Sequence, residues 1–382
     1  MTAVLIVGLV TRAVLVPITH GSDFTVWDLA SRATLDGVNV YAHHPAYSGG
    51  PYPYFPLFLY VELPMQWLAL HTGVSFTILG KLPIVAADLL ATLLVVGELK
   101  RLDVTTRLQA IAAAVLFLNP LVLYNGAFYG RFDSVCLALL LLAFRAYQRD
   151  QTATGRFSIC YALAIAAKTF PIFLLPWLAR HNRSGIARRL VTVAGVLFVV
   201  AAPYLITSPA AFATDLLYSA DKLPGGLSWQ VVLHGFPAGL QVGTGDVLLG
   251  VFVVAAAAIA LVDDLALAAA ATLVAFLLLS KQVIEQYLIW PLPFLIIVGA
   301  GRRSRAAWLL IAEVTLAGML VNAHYHPFGV QPVALNVVLA LAVAATLACM
   351  ILSEHTRSSI GKAGGAPQAG AAAAHVAVGA GN

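Results

Sequence analysis

The sequence predicts an all-α fold, a polytopic transmembrane helical bundle, and three observations carry that prediction. Of 382 residues, 60% are hydrophobic and 10% charged, against about 25% charged in a soluble globular chain. Too few polar side chains are present to cover a water-facing surface. Second, apolar runs of roughly 20 residues, the length that crosses a hydrocarbon core, follow one another and leave room for about 11–13 membrane segments. The runs are continuously apolar rather than alternating, which selects helices over a barrel. Third, basic residues gather in short loops: Lys100, Arg101 and Arg107; Arg145, Arg149 and Arg156; Arg180, Arg183, Arg188 and Arg189; Arg302, Arg303 and Arg305; Arg357 and Lys362. This is the positive-inside signature, so the net charge of +5 calls for no nucleic acid.

The elements follow in order. A first span over 3–18 is interrupted by Arg12, and no small-residue cleavage pattern follows, so it is expected to stay as a span rather than leave as a signal peptide. A long polar and aromatic loop runs from His20 to Pro56. Within it Ser22 can cap a short juxtamembrane helix over 23–36, ending before Gly37. Segments 57–70 and 76–98 cannot both cross, because the loop lies outside and Lys100 inside. Pro64 and the Lys81–Pro83 stretch are the candidate breaks. Spans 108–126 and 133–148 form a hairpin with its tip at Tyr129-Gly130-Arg131-Phe132-Asp133. Segments 157–168 and 170–179 form another, broken at Lys168. Spans 190–206 and 246–262 flank a second outer loop, spans 265–280 and 284–300 enclose Lys281-Gln282, and spans 306–321 and 332–352 close the bundle. The expected organisation is one transmembrane domain over 1–355 and a disordered Gly/Ala-rich tail over 356–382. Cys136, Cys160 and Cys349 stand singly in apolar segments as packing residues.

Polar residues collect at one level under this topology. Asp23, Asp28, His43, His44, Arg131, Asp133, Lys168, Lys222, Trp229, His234, Lys281, Gln286, Tyr287, His324 and His326 all fall outside or just beneath the outer surface. Ionisable groups at membrane depth are costly, so their recurrence at one level points to a shared polar cavity. Lys and Arg at helix ends can equally snorkel to the interface.

Asp23 opens the short helix and shares a face with Trp27, Ala30 and Thr34. The helix dipole alone favours a carboxylate there; in a cavity it is a general base for an acceptor hydroxyl. At the hairpin tip, Arg131 and Asp133 can reach a ligand or each other. Lys168 sits just before Pro171 breaks a helix, beside freed backbone groups, which suits a phosphate. Lys281 can pair with Glu285 at i,i+4, with Gln286 and Tyr287 as donors beneath an aromatic belt. The pairs His43-His44 and His324-x-His326 are a weak metal signal, so no metal ligand and no cofactor is assigned, and a divalent metal stays open. Asp88 and Glu313 mark an ion pathway or pair with polar partners on adjacent helices.

In order along the chain stand Asp23-Phe24-x-x-Trp27-x-x-Ala30, Gly37-x-Asn39-x-Tyr41, Tyr52-Pro53-Tyr54-Phe55-Pro56-Leu57, Asn119-Pro120 with Gly130-Arg131-Phe132-Asp133, Lys168-x-x-Pro171 with Pro176, and Lys281-x-x-x-x-Gln286-Tyr287-x-x-Trp290. Together they resemble the GT-C superfamily of polyprenyl- or dolichyl-phosphate-sugar-dependent glycosyltransferases, and the last is similar to the pattern of GPI mannosyltransferase I. Arg131 departs from the usual Gln. The resemblance covers about residues 20–295 and implies a GT-C-like membrane enzyme of the cell membrane, its active site facing outside. It implies transfer of a hexose, typically mannose, with inversion, from a polyprenyl-phosphate donor to a glycan or glycolipid acceptor. On that mapping Asp23 aligns with the catalytic base. Lys168, with Arg131 and Lys281, would hold the donor phosphate. Trp27, Tyr54, Asp133, Gln286, Tyr287, His43 and His44 would line the substrate site. The competing reading is a transporter or flippase, which predicts polar residues near the midplane and a path to both sides.

Overall fold

In the computed structural model, described over residues 1–43, 51–149, 154–181, 185–218, 222–328 and 333–364, helices make up nearly all regular structure. They are α1 (Thr2–Leu15), α2 (Ser22–Leu35), α3 (Leu57–Thr72), α4 (Phe76–Leu79), α5 (Leu82–Arg101), α6 (Thr106–Phe117), α7 (Pro120–Leu123), α8 (Asp133–Arg149), α9 (Thr154–Ala167), α10 (Leu175–His181), α11 (Ile186–Thr207), α12 (Pro209–Leu217), α13 (Ala238–Ile259), α14 (Leu265–Leu279), α15 (Leu292–Gly301), α16 (Arg305–Phe328) and α17 (Val333–Gly364). α17 runs on into the segment expected as tail; residues 365–382 lie outside the described chain.

Among the described residues, four helices are long and apolar enough to cross a membrane: Phe76–Arg101, Ile186–Thr207, Ala238–Ile259 and Val333–Glu354. α6 and the segment Pro120–Phe128 make a fifth if their 41° bend is counted as one broken span. The chain is therefore an integral multi-pass membrane protein. Four of the other expected spans are shorter apolar helices, Thr2–Leu15, Gly155–Ala167, Leu265–Leu279 and Glu285–Gly301. Prolines account for part of the shortening, since Pro120, Pro171 and Pro293 each stand at the first or second position of a new helical segment, where a missing N–H costs least.

α3 answers the question left by segments 57–98. Near its start Phe58 packs on Trp27 of α2, with ring centroids 5.5 Å apart; beyond its end Phe76 packs on Phe24 of α2, at 5.2 Å. Phe24 and Trp27 are one turn apart, so the start of α3 and the segment after its end both pack on α2. α3 is not among the helices long and apolar enough to cross. It lies along α2 without breaking at Pro64, and α4–α5 make the crossing. The discontinuity falls at Gly80–Lys81, where Lys81 donates to the carbonyls of Val16, Thr19, Ala127 and Phe128. This buried cation ties the ends of α1, α5 and the α7 hairpin together.

The main core lies between α5, α8, α9, α14, α15 and α16. Inside it Arg12 Nε donates to Asp88 Oδ2 at 2.9 Å, and both side chains are 1% exposed. Arg12 Nη1 also reaches the Phe117 carbonyl at 2.8 Å, while Ser134 Oγ donates to Asp88 Oδ1. Glu313 accepts from Thr346 Oγ1 at 2.8 Å. Asp88 and Glu313 thus have the polar partners that the sequence offered as one alternative. Breaking a buried pair by removing one partner costs about 3–5 kcal/mol. Asp88→Ala is therefore expected to lower the thermal midpoint in detergent sharply, and Arg12→Met/Asp88→Leu to recover most of the loss.

Two loops close the end of the bundle that carries Asp23. Asn39 Nδ2 donates to Thr207 Oγ1 at 2.9 Å, Tyr41 OH to the Tyr54 carbonyl at 2.6 Å, and the Tyr52 amide to Asp215 at 3.0 Å. A two-residue parallel ladder pairs Gly225–Gly226 with Gln282–Val283. Beside it, Ser228, Trp229 and Gln230 donate to the carbonyls of Ser280, Leu278 and Leu279. Those carbonyls end α14 and would otherwise lack partners.

Candidate active site

The hairpin tip is shaped by a π-helical turn over Tyr124–Phe128 followed by Gly130 at φ +86°. A Cβ at Gly130 would also stand 2.6 Å from the Phe24 ring, so glycine is required on both counts. The turn presents Arg131 at the centre of a three-sided cluster. Its Nε donates to Asp23 Oδ2 at 3.2 Å, and its Nη1 to Glu285 Oε1 at 2.5 Å and Asn125 Oδ1 at 3.0 Å. The guanidinium stacks on Tyr129, 4.7 Å from the ring centre. Burial opposes its charge, yet Glu285 and Asp23 outweigh burial and raise its pKa. Arg131 is therefore a fixed cation, and its positive charge is shared by two carboxylates. Asp23 is the more open of the two, with its side chain 33% exposed.

Asp133 opens α8 and points the other way. It is fully buried; its Oδ1 accepts from Lys168 Nζ at 2.7 Å and from Trp290 Nε1 at 2.6 Å. Its Oδ2 has no partner among the described residues. Lys168 is surrounded by the rings of Phe132, Tyr287 and Trp290, with its ammonium 5.3–5.9 Å from their centres. The ammonium thus faces three aromatic rings as well as the Asp133 carboxylate. The Arg131–Asp133 pair that the sequence allowed does not form, because the two side chains leave the tip in opposite directions.

Tyr54 joins the two halves. Burial pushes its phenol up, and the charges of Asp23 and Asp133 add to the effect. Phe132 lies between the halves, its ring 5.3 Å from Tyr54 and 4.9 Å from Trp27. Trp27 is itself 1% exposed and buttresses Phe132 from behind. Gln286 is buried, and Tyr287 is half-buried. Lys281, together with Tyr287, lines a largely apolar cavity of ≈ 320 Å³ that continues past Phe276, Phe252 and Leu249 between α13 and α14. Lys222 stands near Asp23: burial lowers its pKa and Asp23 opposes the shift. His43 is exposed, and His44 lies outside the described residues. Among the described residues no group of three His, Cys, Asp or Glu side chains could hold a metal ion.

Two members of the cluster escaped the sequence. Glu285 reads there as the i,i+4 partner of Lys281. Instead Gln282–Val283 is a strand and Ile284 is extended, so the helical spacing fails and Glu285 turns to Arg131. Asn125 carries no signal in an apolar segment. Among the expected residues, Asp23, Arg131, Tyr54, Asp133, Lys168 and Tyr287 are brought together.

A family model described as glycosyltransferase family 87 matches residues 52–283, more than half of the chain. That stretch includes Tyr54, Arg131, Asp133, Lys168 and Lys281, while Asp23 and Glu285 lie outside it. Among curated proteins none matches the chain.

Proposed function

Because the chain belongs to glycosyltransferase family 87, we propose that it transfers a hexose, mannose first among candidates, from a polyprenyl-phosphate donor to a glycan or glycolipid acceptor at the extracytoplasmic face of the cell membrane. One observation carries the reading: a partly open carboxylate, Asp23, and an ammonium, Lys168, are held at the two ends of one hairpin tip, Asp23 by Arg131 and Lys168 by Asp133. A sugar bound over this tip would have a base at one end and a cation at the other.

The acceptor oxygen attacks the anomeric carbon, and its proton passes to Asp23. The bond from that carbon to the phosphate oxygen breaks, and the electron pair leaves with the lipid phosphate. Attack opposite the leaving group inverts the anomeric centre. Arg131 orients Asp23, with Glu285 and Asn125 fixing the guanidinium in turn. Lys168 faces the charge that develops on the departing phosphate, the kind of electrostatic assistance that weighs most in such sites. The cavity beneath Lys281 and Tyr287 offers an apolar path for the lipid chain. The positive-inside pattern supports the outward orientation.

A donor screen tests this. Membranes containing the protein would receive radiolabelled polyprenyl-phosphate mannose, glucose or arabinose. Labelled product from the mannose donor is expected; product from none of the three would sink the proposal.

A further inference from the structure

At the other end of the same helices lies a second cavity, of ≈ 230 Å³, between α5, α8, α14 and α15. Three arginines line it: Arg101 at the end of α5, and Arg145 and Arg149 one turn apart on α8. Asp133 and Arg149 are separated by the whole of α8, roughly 24 Å at 1.5 Å per residue, so this cavity is distinct from the candidate active site. Against the three guanidiniums the wall holds, among the described residues, one carboxylate, Glu98, already engaged by Arg101 at 2.6 Å and by Gln148 at 2.9 Å. Arg145 and Arg149 form no hydrogen bond or ion pair among the described residues. The floor is apolar, with Leu94 and Phe144. Arg145 lies against the backbone of α5: a Cβ at Gly97 would stand 3.2 Å from its Nη1.

A cationic rim with two guanidiniums unpaired among the described residues, over an apolar floor, is complementary to a phosphate group carried on a hydrocarbon chain. Bare positive-inside charge requires no cavity. We propose that this cavity is a phosphate-binding site, taking the phosphate of an anionic phospholipid or free inorganic phosphate. The inference stands apart from the glycosyl-transfer reading.

The test uses the full chain in nanodiscs of phosphatidylcholine, with or without phosphatidylglycerol, and reads retained lipid by native mass spectrometry and the thermal midpoint. Wild-type protein is expected to retain phosphatidylglycerol, and Arg145→Gln/Arg149→Gln to bind it at least about tenfold more weakly, from about 1 kcal/mol per lost cation. Gly97→Leu keeps every charge but displaces Arg145, and should weaken binding comparably. If inorganic phosphate raises the wild-type midpoint where phosphatidylglycerol does not, the site is confirmed with free phosphate as its source. Displacement of phosphatidylglycerol from wild-type protein by inorganic phosphate supports the site without any variant. Binding of neither, or undiminished binding by either variant, overturns the proposal.

Discussion

Replacing Asp23 by Asn is expected to slow sugar transfer on the order of a thousandfold, the middle of the range for a general base, while the protein stays folded. The asymmetry follows from how Arg131 is held. Its Nη1 is bound by Glu285 and Asn125, so the guanidinium keeps both when Asp23 loses its charge. Asp23 itself is partly open, and its only ion pair among the described residues is at 3.2 Å, so little stability depends on it. An amide fills the same space and can still accept from Arg131 through its oxygen. It cannot take up a proton. Rate and donor binding should therefore separate: turnover collapses, while affinity for the polyprenyl-phosphate donor changes little. Transfer by purified Asp23→Asn protein at the wild-type rate would remove Asp23 from the mechanism.

Lys168→Ala is expected to have two large effects at once. Asp133 is fully buried and relies on Lys168 and Trp290 for its two bonds. Removing the lysine leaves a buried carboxylate without its counter-charge, at a cost of about 3–5 kcal/mol. Donor affinity should fall as well, by tenfold or more, since a hydrogen bond to a charged group contributes about 1.5–3 kcal/mol. Lys168→Met/Asp133→Asn separates the two. The double variant leaves no buried charge, and Trp290 can still donate to the Asn oxygen, so thermal stability should largely return. Donor affinity should not. Recovery of both would make Lys168 a structural residue only.

Much of this was legible in the residues, for identifiable reasons. Membrane embedding follows from composition, and Asp23, Arg131, Asp133 and Lys168 stood out because a charge in an apolar chain needs a reason. What periodicity could not supply was direction. α3 is apolar enough to read as a span, and only its packing on Trp27 shows that it lies along α2. Arg131 and Asp133 are two residues apart, yet a π-helical turn and a left-handed glycine send them to opposite partners. Lys81 and Arg12 carry the same charge as Lys168, but their partners are backbone carbonyls and Asp88, distant in sequence. Glu285 is hidden from the sequence because helical spacing does not hold across the extended residues Gln282–Ile284.

In the proposed reaction lipid phosphate leaves as the sugar is transferred. The direct measurement follows purified protein in vesicles given a donor labelled in both sugar and polyprenyl chain, together with extracted envelope glycolipids. Labelled sugar in product and free polyprenyl phosphate are expected in equal amounts, both abolished in Asp23→Asn. Movement of the intact donor across the vesicle membrane, with neither species formed, would overturn the proposed reaction.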